Sequence, residues 1–528
     1  MRRSWSILAG LTLLLALFAA PYSAVLADEP ANTQGFRKAV TLAGIREHQQ
    51  ALQTIANNNG GNRLAGTKGY DDSAAYVFNR LVAAGYAPVY QEFEFLLVAD
   101  RTLPIFQRVS APARDYVNGV DFNTAQYSGS GDVTANITAV DILIHSTPGT
   151  LSTSGCEAAD FAGFPAGSIA LMQRGTCGFG QKATNALAAG AVGVILFNEG
   201  NAPDRVGALN PTLGAIVNIP TVGTSFAIGN ELRNGVLNGP TGVVARVRTD
   251  TIAEIRTTRN IIAETPGGDP NRVIVVGAHL DSVSRGPGIN DNGSGSATIL
   301  EVAETYAAQN RDPRNKLRFA WWSAEELGLI GSTHYVASLS QAERDRIEMN
   351  LNFDMLNSPN FVRFVYDGDN SAFPVGPGAA EGPAGSGEIE QIFHSYFASQ
   401  GLPSAETPFS GRSDYGPFIA IGIPAGGLFT GAEGIKTAEQ AAIYGGVAGQ
   451  AYDPCYHLGC DNFAGTNTPY ALQGLDQMSD AVAHAVLYFS KRNFAKEPLG
   501  EVAPTTGQGN GGEGGGLHDD HDHEVVAR

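Results

Sequence analysis

Apolar residues follow two different periods along the first part of the chain. Between residues 40 and 55 they recur at helical spacing, as Leu42 and Ile45 or Leu52 and Ile55 do, which predicts a helix, and residues 71–84 repeat this pattern. Residues 89–95 instead alternate between apolar and polar side chains, which predicts a strand. The chain therefore begins with the helices and strand of an α/β domain.

Alternating strands and helices return after residue 251. Apolar runs predict strands and helical spacing predicts helices, in the order 273–276 (strand), 296–308 (helix), 317–322 (strand), 329–339 (helix), 350–355 (strand) and 388–398 (helix). Strands that alternate with helices form a mostly parallel sheet covered on both faces. We predict an α/β fold of this kind, with a mostly parallel, mixed sheet, over residues 28–98 and 251–495.

Residues 99–250 show a different pattern. Helical spacing is clear only at residues 181–189. Short apolar runs, separated by glycine, proline and asparagine, predict strands at residues 139–144, 168–172, 193–197 and 219–222. We predict that residues 99–250 form a β-rich domain inserted into the first one.

The two ends of the chain predict segments outside these domains. Arg2 and Arg3 precede an apolar run, and small residues follow up to Ala27, which is typical of a secretory signal peptide. The apolar run is shorter than the roughly 20 residues that span a bilayer. Residues 496–528 are rich in glycine, histidine and aspartate, which predicts a disordered tail. We expect residues 1–27 to be a signal peptide and the protein to be secreted.

Composition and charge narrow the class of partner. The 528 residues carry 34 basic and 52 acidic side chains, a formal net charge of −18, and 43% of them are hydrophobic. This apolar content supports a packed core, and the negative charge repels phosphate backbones and anionic membrane surfaces. We expect no nucleic-acid partner, no membrane span and a monomeric protein.

Four cysteines form an even set in a chain predicted to be exported, which favours disulfides. Three pairings are possible, and closure of the shortest loops favours Cys156 with Cys177 and Cys455 with Cys460. A rival interpretation is a structural zinc site that combines the second pair with the nearby His457 and Asp461.

Chemically active side chains follow three consecutive predicted strands. Ligands of open α/β sheets bind beyond the carboxyl ends of the strands. The sequence places there one imidazole and five carboxylates, those of His279, Asp281, Asp291, Glu325, Glu326 and Asp354. Carboxylates this close repel one another unless a cation lies among them. Histidine nitrogen and carboxylate oxygen are zinc ligands, so the sequence predicts a zinc site.

Charge accounting favours two zinc ions at this edge. Two Zn²⁺ ions balance the charges of Asp291, Glu326, Asp354 and a bound hydroxide. A second zinc needs a second imidazole. His457 is the strongest candidate, because the other histidines lie in predicted helices, in an apolar strand or in the tail.

Six segments contain the candidate residues: GAHLDSV (277–283), GINDNGSGS (288–296), FAWWSAEELG (319–328), LNFDM (351–355), GRSD (411–414) and CYH (455–457). Together they closely resemble the secreted bacterial leucine aminopeptidases of the co-catalytic di-zinc exopeptidase family. The intervening segment, residues 99–250 and within it residues 163–196, looks like the protease-associated (PA) domain that is inserted in some members of that family.

The resemblance implies a role for each candidate metal ligand. His279 and Asp354 hold one zinc, Glu326 and His457 hold the other, and Asp291 bridges both. The family also places a cis peptide bond directly after the bridging aspartate.

The resemblance further implies the catalytic and substrate-binding residues. Glu325 is the general base that takes a proton from a zinc-bridged water, and Tyr456 stabilises the tetrahedral oxyanion. Asp281 is the acid behind the first histidine ligand. Arg412 and Phe429 line the substrate pocket.

The function implied is hydrolysis of the N-terminal peptide bond of peptides with a free N-terminus. The family leans towards leucine and other apolar N-terminal residues. Some relatives also bind calcium through two acids near the C-terminal helix, and Asp476 and Asp480 look similar, so calcium is a further candidate cofactor.

Two alternatives remain open. A catalytically silent, receptor-like relative combines the same domains but lacks metal ligands, whereas all five ligands and the base are present here. A carboxypeptidase or a glutaminyl cyclase also uses this fold. A carboxypeptidase needs basic residues for a C-terminal carboxylate, and the sequence has no identifiable cluster of them.

Overall fold

A computed structural model describes residues 32–144, 151–202 and 205–500. The predicted signal peptide (1–27) and residues 501–528 of the predicted tail (496–528) lie outside the described residues. Residues 496–500 of that tail are described, and the backbone N–H of Gly500 donates to Oε2 of Glu388 at 3.0 Å. Among the described helices, none combines the length and the apolar character that a membrane span requires.

The described strands form two eight-stranded sheets and one two-stranded sheet. In chain order they are β1 (Val89–Asp100), β2 (Ile105–Arg108), β3 (Arg114–Asp115), β4 (Phe122–Thr124), β5 (Gln126–Ser128), β6 (Gly131–Ala139), β7 (Ile169–Gln173), β8 (Gly193–Phe197), β9 (Thr212–Val217), β10 (Thr221–Thr224), β11 (Gly239–Thr249), β12 (Thr251–Glu264), β13 (Asp269–His279), β14 (Asn315–Trp322), β15 (Ile347–Phe353), β16 (Phe364–Tyr366), β17 (Ala405–Thr407) and β18 (Ala425–Phe429).

The described helices, in chain order, are α1 (Gln34–Arg37), α2 (Leu42–Asn58), α3 (Lys68–Ala83), α4 (Phe179–Ala188), α5 (Phe226–Leu232), α6 (Gly293–Ala308), α7 (Ile330–Ser338), α8 (Gln341–Arg344), α9 (Ser386–Ser399), α10 (Gly416–Ile419), α11 (Ala438–Tyr444) and α12 (Pro469–Lys491). A short 3₁₀ turn lies at Ala158–Phe161.

The first sheet has the strand order β1-β12-β14-β13-β15-β18-β16-β17. Its centre, from β14 to β18, is parallel, whereas β12 pairs antiparallel with both of its neighbours. Along β13, Ile274 and Val276 pack in the core with α2, α6 and α12, and Val273 and Val275 pack with Tyr335 of α7 on the opposite face. Helices therefore cover both faces, and the predicted α/β fold with a mixed sheet is confirmed.

The second sheet is built from residues between β1 and β12, in the order β3-β2-β11-β6-β7-β8-β10-β4. β1 leaves the first sheet at Asp100, which pairs with Thr251 at the start of β12. We propose that the inserted domain lies between these two residues. The inserted domain then covers residues 101–250. Its start lies two residues after the predicted start at residue 99, and its end agrees with the predicted end at residue 250.

One predicted strand differs from the structure. The predicted strand at residues 139–144 was wrong, because β6 already ends at Ala139. Asp141 has a φ of 43°, in the left-handed region that an extended strand does not use. The helical pattern expected around His484 is part of the long helix α12, which is buried along most of its length.

Two disulfides join the four cysteines in the pairing that short loops favour. Cys156–Cys177 links two segments of the inserted domain, and Cys455–Cys460 closes the loop that contains Tyr456 and His457. The rival structural zinc site is excluded because both thiols of the second pair are bonded to each other.

We expect the double substitution C156S/C177S to lower the free energy of unfolding by about 3 kcal/mol, because the bond removes loop entropy from the unfolded chain. It closes a sequence separation of 21 residues, whereas Cys455–Cys460 closes one of only 5. The matched variant C455S/C460S should therefore lose about 2 kcal/mol. Denaturant unfolding of both variants measures the difference, and a larger loss in C455S/C460S would contradict the expectation.

Candidate active site

The candidate residues follow three neighbouring parallel strands at one edge of the first sheet. His279 is the last residue of β13, Asp354 directly follows β15, and Glu325 and Glu326 come shortly after β14. β13 lies between the other two strands. Because parallel strands place their carboxyl ends on the same edge, these four side chains lie together.

Asp291 and His457 come to this edge from loops. A cis peptide bond joins Asp291 to Asn292, as the family resemblance implies. Asn292 then begins α6, because its side-chain oxygen accepts the N–H of Gly295 at 2.8 Å. His457 lies in the loop closed by the second disulfide, with its ring stacked on that of Tyr456 at 3.8 Å between centroids.

The two histidines and three of the carboxylates form two groups that share Asp291. Nε2 of His279 lies 3.2 Å from Oδ1 of Asp291 and 3.3 Å from Oδ1 of Asp354. Nε2 of His457 lies 3.1 Å from Oδ2 of Asp291 and 3.0 Å from Oε2 of Glu326. The two oxygens of one carboxylate thus face two different imidazoles.

Burial tests whether these residues fit a metal. His279, Asp291 and Asp354 are 1%, 5% and 8% exposed. Both ring nitrogens of His279, Oδ1 of Asp354 and Oε1 of Glu326 are buried without a hydrogen-bond partner. Buried polar atoms are normally satisfied, so these atoms indicate a missing partner among them. The donor set of imidazole nitrogen and carboxylate oxygen fits zinc.

Burial and crowding shift the protonation of the two adjacent glutamates. Burial raises the pKa of Glu325 well above its usual value, and Asp354 raises it further, although His279 opposes both. Burial, reinforced by Asp291, raises the pKa of Glu326 to about 7. Without a cation, these two glutamates therefore favour the neutral form.

Asp281 is fully buried behind the first histidine. Its Oδ1 lies 3.7 Å from Nδ1 of His279 and accepts the backbone N–H of Glu325 at 3.2 Å, and its Oδ2 accepts that of Glu326 at 3.4 Å. One carboxylate therefore contacts both the end of β13 and the segment after β14.

Sequence and structure comparisons match both parts of the chain. Residues 260–486 match the model of peptidase family M28, and residues 133–232 match that of the PA domain. An aminopeptidase of Pseudomonas aeruginosa is 46% identical over 459 residues, 86% of this chain and 82% of its own. Leucine aminopeptidase 2 of Trichophyton tonsurans is 43% identical over 81% and 79% of the two chains. The chain belongs to peptidase family M28.

Solved structures agree with this membership. An aminopeptidase from Aneurinibacillus sp. strain AM-1 is 26% identical with a TM-score of 0.58, over 86% of this chain and 95% of its own. A zinc aminopeptidase from Bacillus subtilis is 25% identical with a TM-score of 0.57, over 88% and 97%. The predicted enzyme class, a zinc-dependent aminopeptidase with an inserted PA domain, is confirmed.

Asp461 of this M28 peptidase supports Asp291 and was not predicted as a site residue. Its carboxylate accepts the backbone N–H groups of Asn290 and Asp291, at 2.7 and 2.9 Å. Asp461 directly follows Cys460 in the sequence. This position next to the loop that contains Tyr456 and His457 was the only sequence signal for a role at the site.

Arg63 is a second supporting residue that was not predicted. It is fully buried and donates to the backbone carbonyl of Leu280, to that of Pro287 at 2.9 Å and to that of Gly288 at 2.7 Å. The guanidinium thus joins the end of β13 to the loop that leads to Asp291. Its sequence position, far upstream, gave no signal.

Ser413 and Asp414 adjoin the predicted ligand Asp354. Oγ of Ser413 donates to Oδ2 of Asp354 at 2.6 Å and accepts from the side-chain amide of Asn352 at 2.8 Å. Asp414 is fully buried, and burial raises the pKa of its carboxyl group to about 7. Both residues belong to the GRSD segment, from which only Arg412 was predicted as a site residue.

The edge that carries these side chains opens into a cleft of about 300 Å³ in this M28 peptidase. Arg412, Phe429 and Tyr456 line it, together with Gln126 and Asn210 of the inserted part of the chain. Arg412 donates to the hydroxyl of Tyr456 at 3.2 Å. Arg412 also donates to Oε1 of Glu433 at 2.7 Å.

The two acids named as a calcium candidate lie on α12, away from this cleft. Asp480 pairs with Arg37, whose Nη1 lies 3.2 Å from its Oδ2. A guanidinium already balances that carboxylate, so we do not propose a calcium site at Asp476 and Asp480.

We expect Asp461→Asn to reduce zinc content and to destabilise the fold by about 1–3 kcal/mol, because an amide cannot accept two buried N–H groups as a carboxylate does. Elemental analysis and denaturant unfolding measure the two effects. Asp345→Asn, at an exposed aspartate, is the matched control and should change neither. Full zinc content and stability in the Asp461 variant would contradict this assignment.

Proposed function

We propose that this protein uses two zinc ions to remove N-terminal residues from peptides. His279 and Asp354 would hold one ion, Glu326 and His457 the other, and Asp291 would bridge them. The observation that supports the proposal is the position of Asp291, whose two oxygens face the two imidazoles at 3.2 and 3.1 Å. A single ion would not engage both histidines through separate oxygens of one carboxylate.

Glu325 is the proposed general base. The zinc pair, when bound, polarises the scissile carbonyl and brings the pKa of the attacking water towards about 7. Glu325 lines the cleft and is largely buried, with Oε2 at 3.8 Å from Nε2 of His279. It would take the proton of the water and pass it to the leaving amine. Its buried position gives the carboxylate a raised proton affinity, which suits this transfer.

Tyr456 is the proposed donor to the oxyanion. Burial raises the pKa of its hydroxyl well above the usual value, although Arg412 opposes this shift. The phenol therefore stays protonated at neutral pH and can donate a hydrogen bond to a developing negative charge. The contacts of Arg412 with Tyr456 and Glu433 hold the ring in place.

The cleft supports cleavage at the N-terminus of the substrate. A free α-amine carries a positive charge that the acidic rim attracts, and an internal peptide bond has no such group. Leu329, Met355 and Phe429 give the cleft apolar walls. We therefore propose a preference for leucine and other apolar N-terminal residues, in line with the relatives named leucine aminopeptidase 2.

We also propose that the protein is exported. The sequence pattern of residues 1–27 supports this, and so do the two disulfides, because thiols generally stay reduced in the cytosol. A monomer remains our expectation for the exported form.

Glu325→Gln should lower kcat by at least about 100-fold and keep normal zinc content, because the amide cannot accept a proton. Glu326→Gln is the matched control. It makes the same carboxylate-to-amide change at the neighbouring residue, a proposed zinc ligand, and should lose zinc as well as activity. Steady-state kinetics and elemental analysis separate the two variants. An unchanged rate in Glu325→Gln would show that the base is another group.

Leucine p-nitroanilide should be hydrolysed, whereas its N-acetyl form should not, because acetylation removes the charged amine. Release of p-nitroaniline measures both rates. The alanine, phenylalanine and lysine analogues test side-chain preference in the same assay. Equal hydrolysis of the free and acetylated substrates would overturn the exopeptidase proposal.

A further inference from the structure

A second group of acidic side chains lies beside β16 and β17, the last two strands in the order of the first sheet. None of its members is a proposed zinc ligand. Asp367 and Asp369 follow β16, Glu406 lies in β17, and Glu390 and His394 lie one turn apart on α9. Their candidate ligand atoms form two groups of three, each within 4.8 Å. Glu390 belongs to both groups: with Asp367 and Asp369 in one, and with His394 and Glu406 in the other.

These carboxylates have no permanent cation beside them. Among the described residues, no lysine or arginine forms an ion pair with any of the four, and their ion pair is with His394, whose Nε2 lies 3.5 Å from Oε1 of Glu390. Asp367 and Glu390 are 0% and 2% exposed. Burial, reinforced by Glu390, raises the pKa of Asp367 to about 6.

Two buried polar atoms of this cluster lack a hydrogen-bond partner, namely Oε1 of Glu390 and Nε2 of His394. The other polar atom of each side chain is satisfied. Oε2 of Glu390 accepts the N–H groups of Gly368 and Asp369 at 2.8 and 3.3 Å, and Nδ1 of His394 lies 2.8 Å from Oγ of Ser404. Each side chain is thus fixed by one atom, and the two remaining atoms lie 3.5 Å apart without a hydrogen bond between them. Both atoms are therefore left unsatisfied within the cluster.

The loop after β16 arranges its acids around this position. Both oxygens of Asp367 accept backbone N–H groups, from Ser371 at 3.0 Å and from Ala372 and Phe373 at 3.1 and 2.7 Å. Oδ1 of Asp369 accepts the N–H of Ser371 at 2.9 Å. The carboxylates are therefore held in place before any ligand binds.

We propose that this cluster is a second divalent-cation site, distinct from the zinc site, which binds a hard cation of the calcium class between Asp367, Asp369 and Glu390. Oxygen donors outnumber nitrogen donors four to one in the cluster, which favours a hard cation over zinc. Asp369 is only partly buried, so water can complete the six to eight oxygen ligands that calcium takes.

The site connects to the substrate cleft. The backbone N–H of Asp367 donates to the carbonyl of Thr407 at 2.8 Å, and Thr407 lines the cleft together with Gly378 of the same loop. A bound cation would hold residues 367–382 against β17 and α9. Calcium should therefore raise thermal stability and lower KM, and leave zinc content unchanged.

Titration of the zinc-loaded enzyme with calcium chloride in calcium-free buffer tests this proposal. Calorimetry should show saturable binding, with a parallel rise in Tm. Asp369→Asn keeps the oxygen that accepts the Ser371 N–H but removes the charge, so it should weaken calcium binding at least about tenfold. Glu381→Gln, at an exposed acid of the same loop, is the matched control and should bind normally.

Two further variants make the outcome decisive. Glu390→Gln should also weaken binding, which covers the case that Asp369→Asn does not fold. Asp476→Asn changes the calcium candidate on α12 and should bind calcium normally. The proposal is overturned if calcium does not bind, if only Asp476→Asn abolishes binding, or if the cluster binds zinc through His394 and not calcium.

Discussion

Asp291 must stay ionised in a buried position between two imidazoles, and much of the peptidase domain serves this requirement. Burial favours the neutral carboxyl group, but hydrogen bonds with His279 and His457 outweigh it and hold the pKa of Asp291 below its usual range. The two histidines come from distant parts of the chain. The carboxylate can face both imidazoles only if three parts of the chain are fixed relative to one another. These are the end of β13, the start of α6 and the loop closed by Cys455 and Cys460.

The supporting contacts are polar and buried. Asp461 fixes the backbone at Asn290 and Asp291, and Arg63 fixes the carbonyls on either side of that loop. Arg63 donates to carbonyl groups and makes no ion pair with the acids, so it adds positive charge without occupying a carboxylate oxygen. This arrangement leaves the carboxylates of the rim available to metal ions.

Much of the fold followed from the periodicity of the sequence. Within the buried part of β13, residues 273–278 form a short and wholly apolar run, and this pattern is local. The predicted strand at residues 139–144 failed because Asp141 turns the chain in a left-handed conformation, which hydrophobicity does not report.

The sequence alone determined which side chains could form a metal site, because strand ends in an α/β sheet converge and a cluster of acids requires a cation. It also favoured the disulfide pairing, through loop length. Only the tertiary structure decided that the two oxygens of Asp291 face different histidines, that Arg63 and Asp461 hold its loop, and that the buried Glu390 joins Asp367 and Glu406 in one cluster. These are contacts between residues far apart in sequence, set by packing of β16, β17 and α9 and of the loops around β13, and no local pattern encodes them.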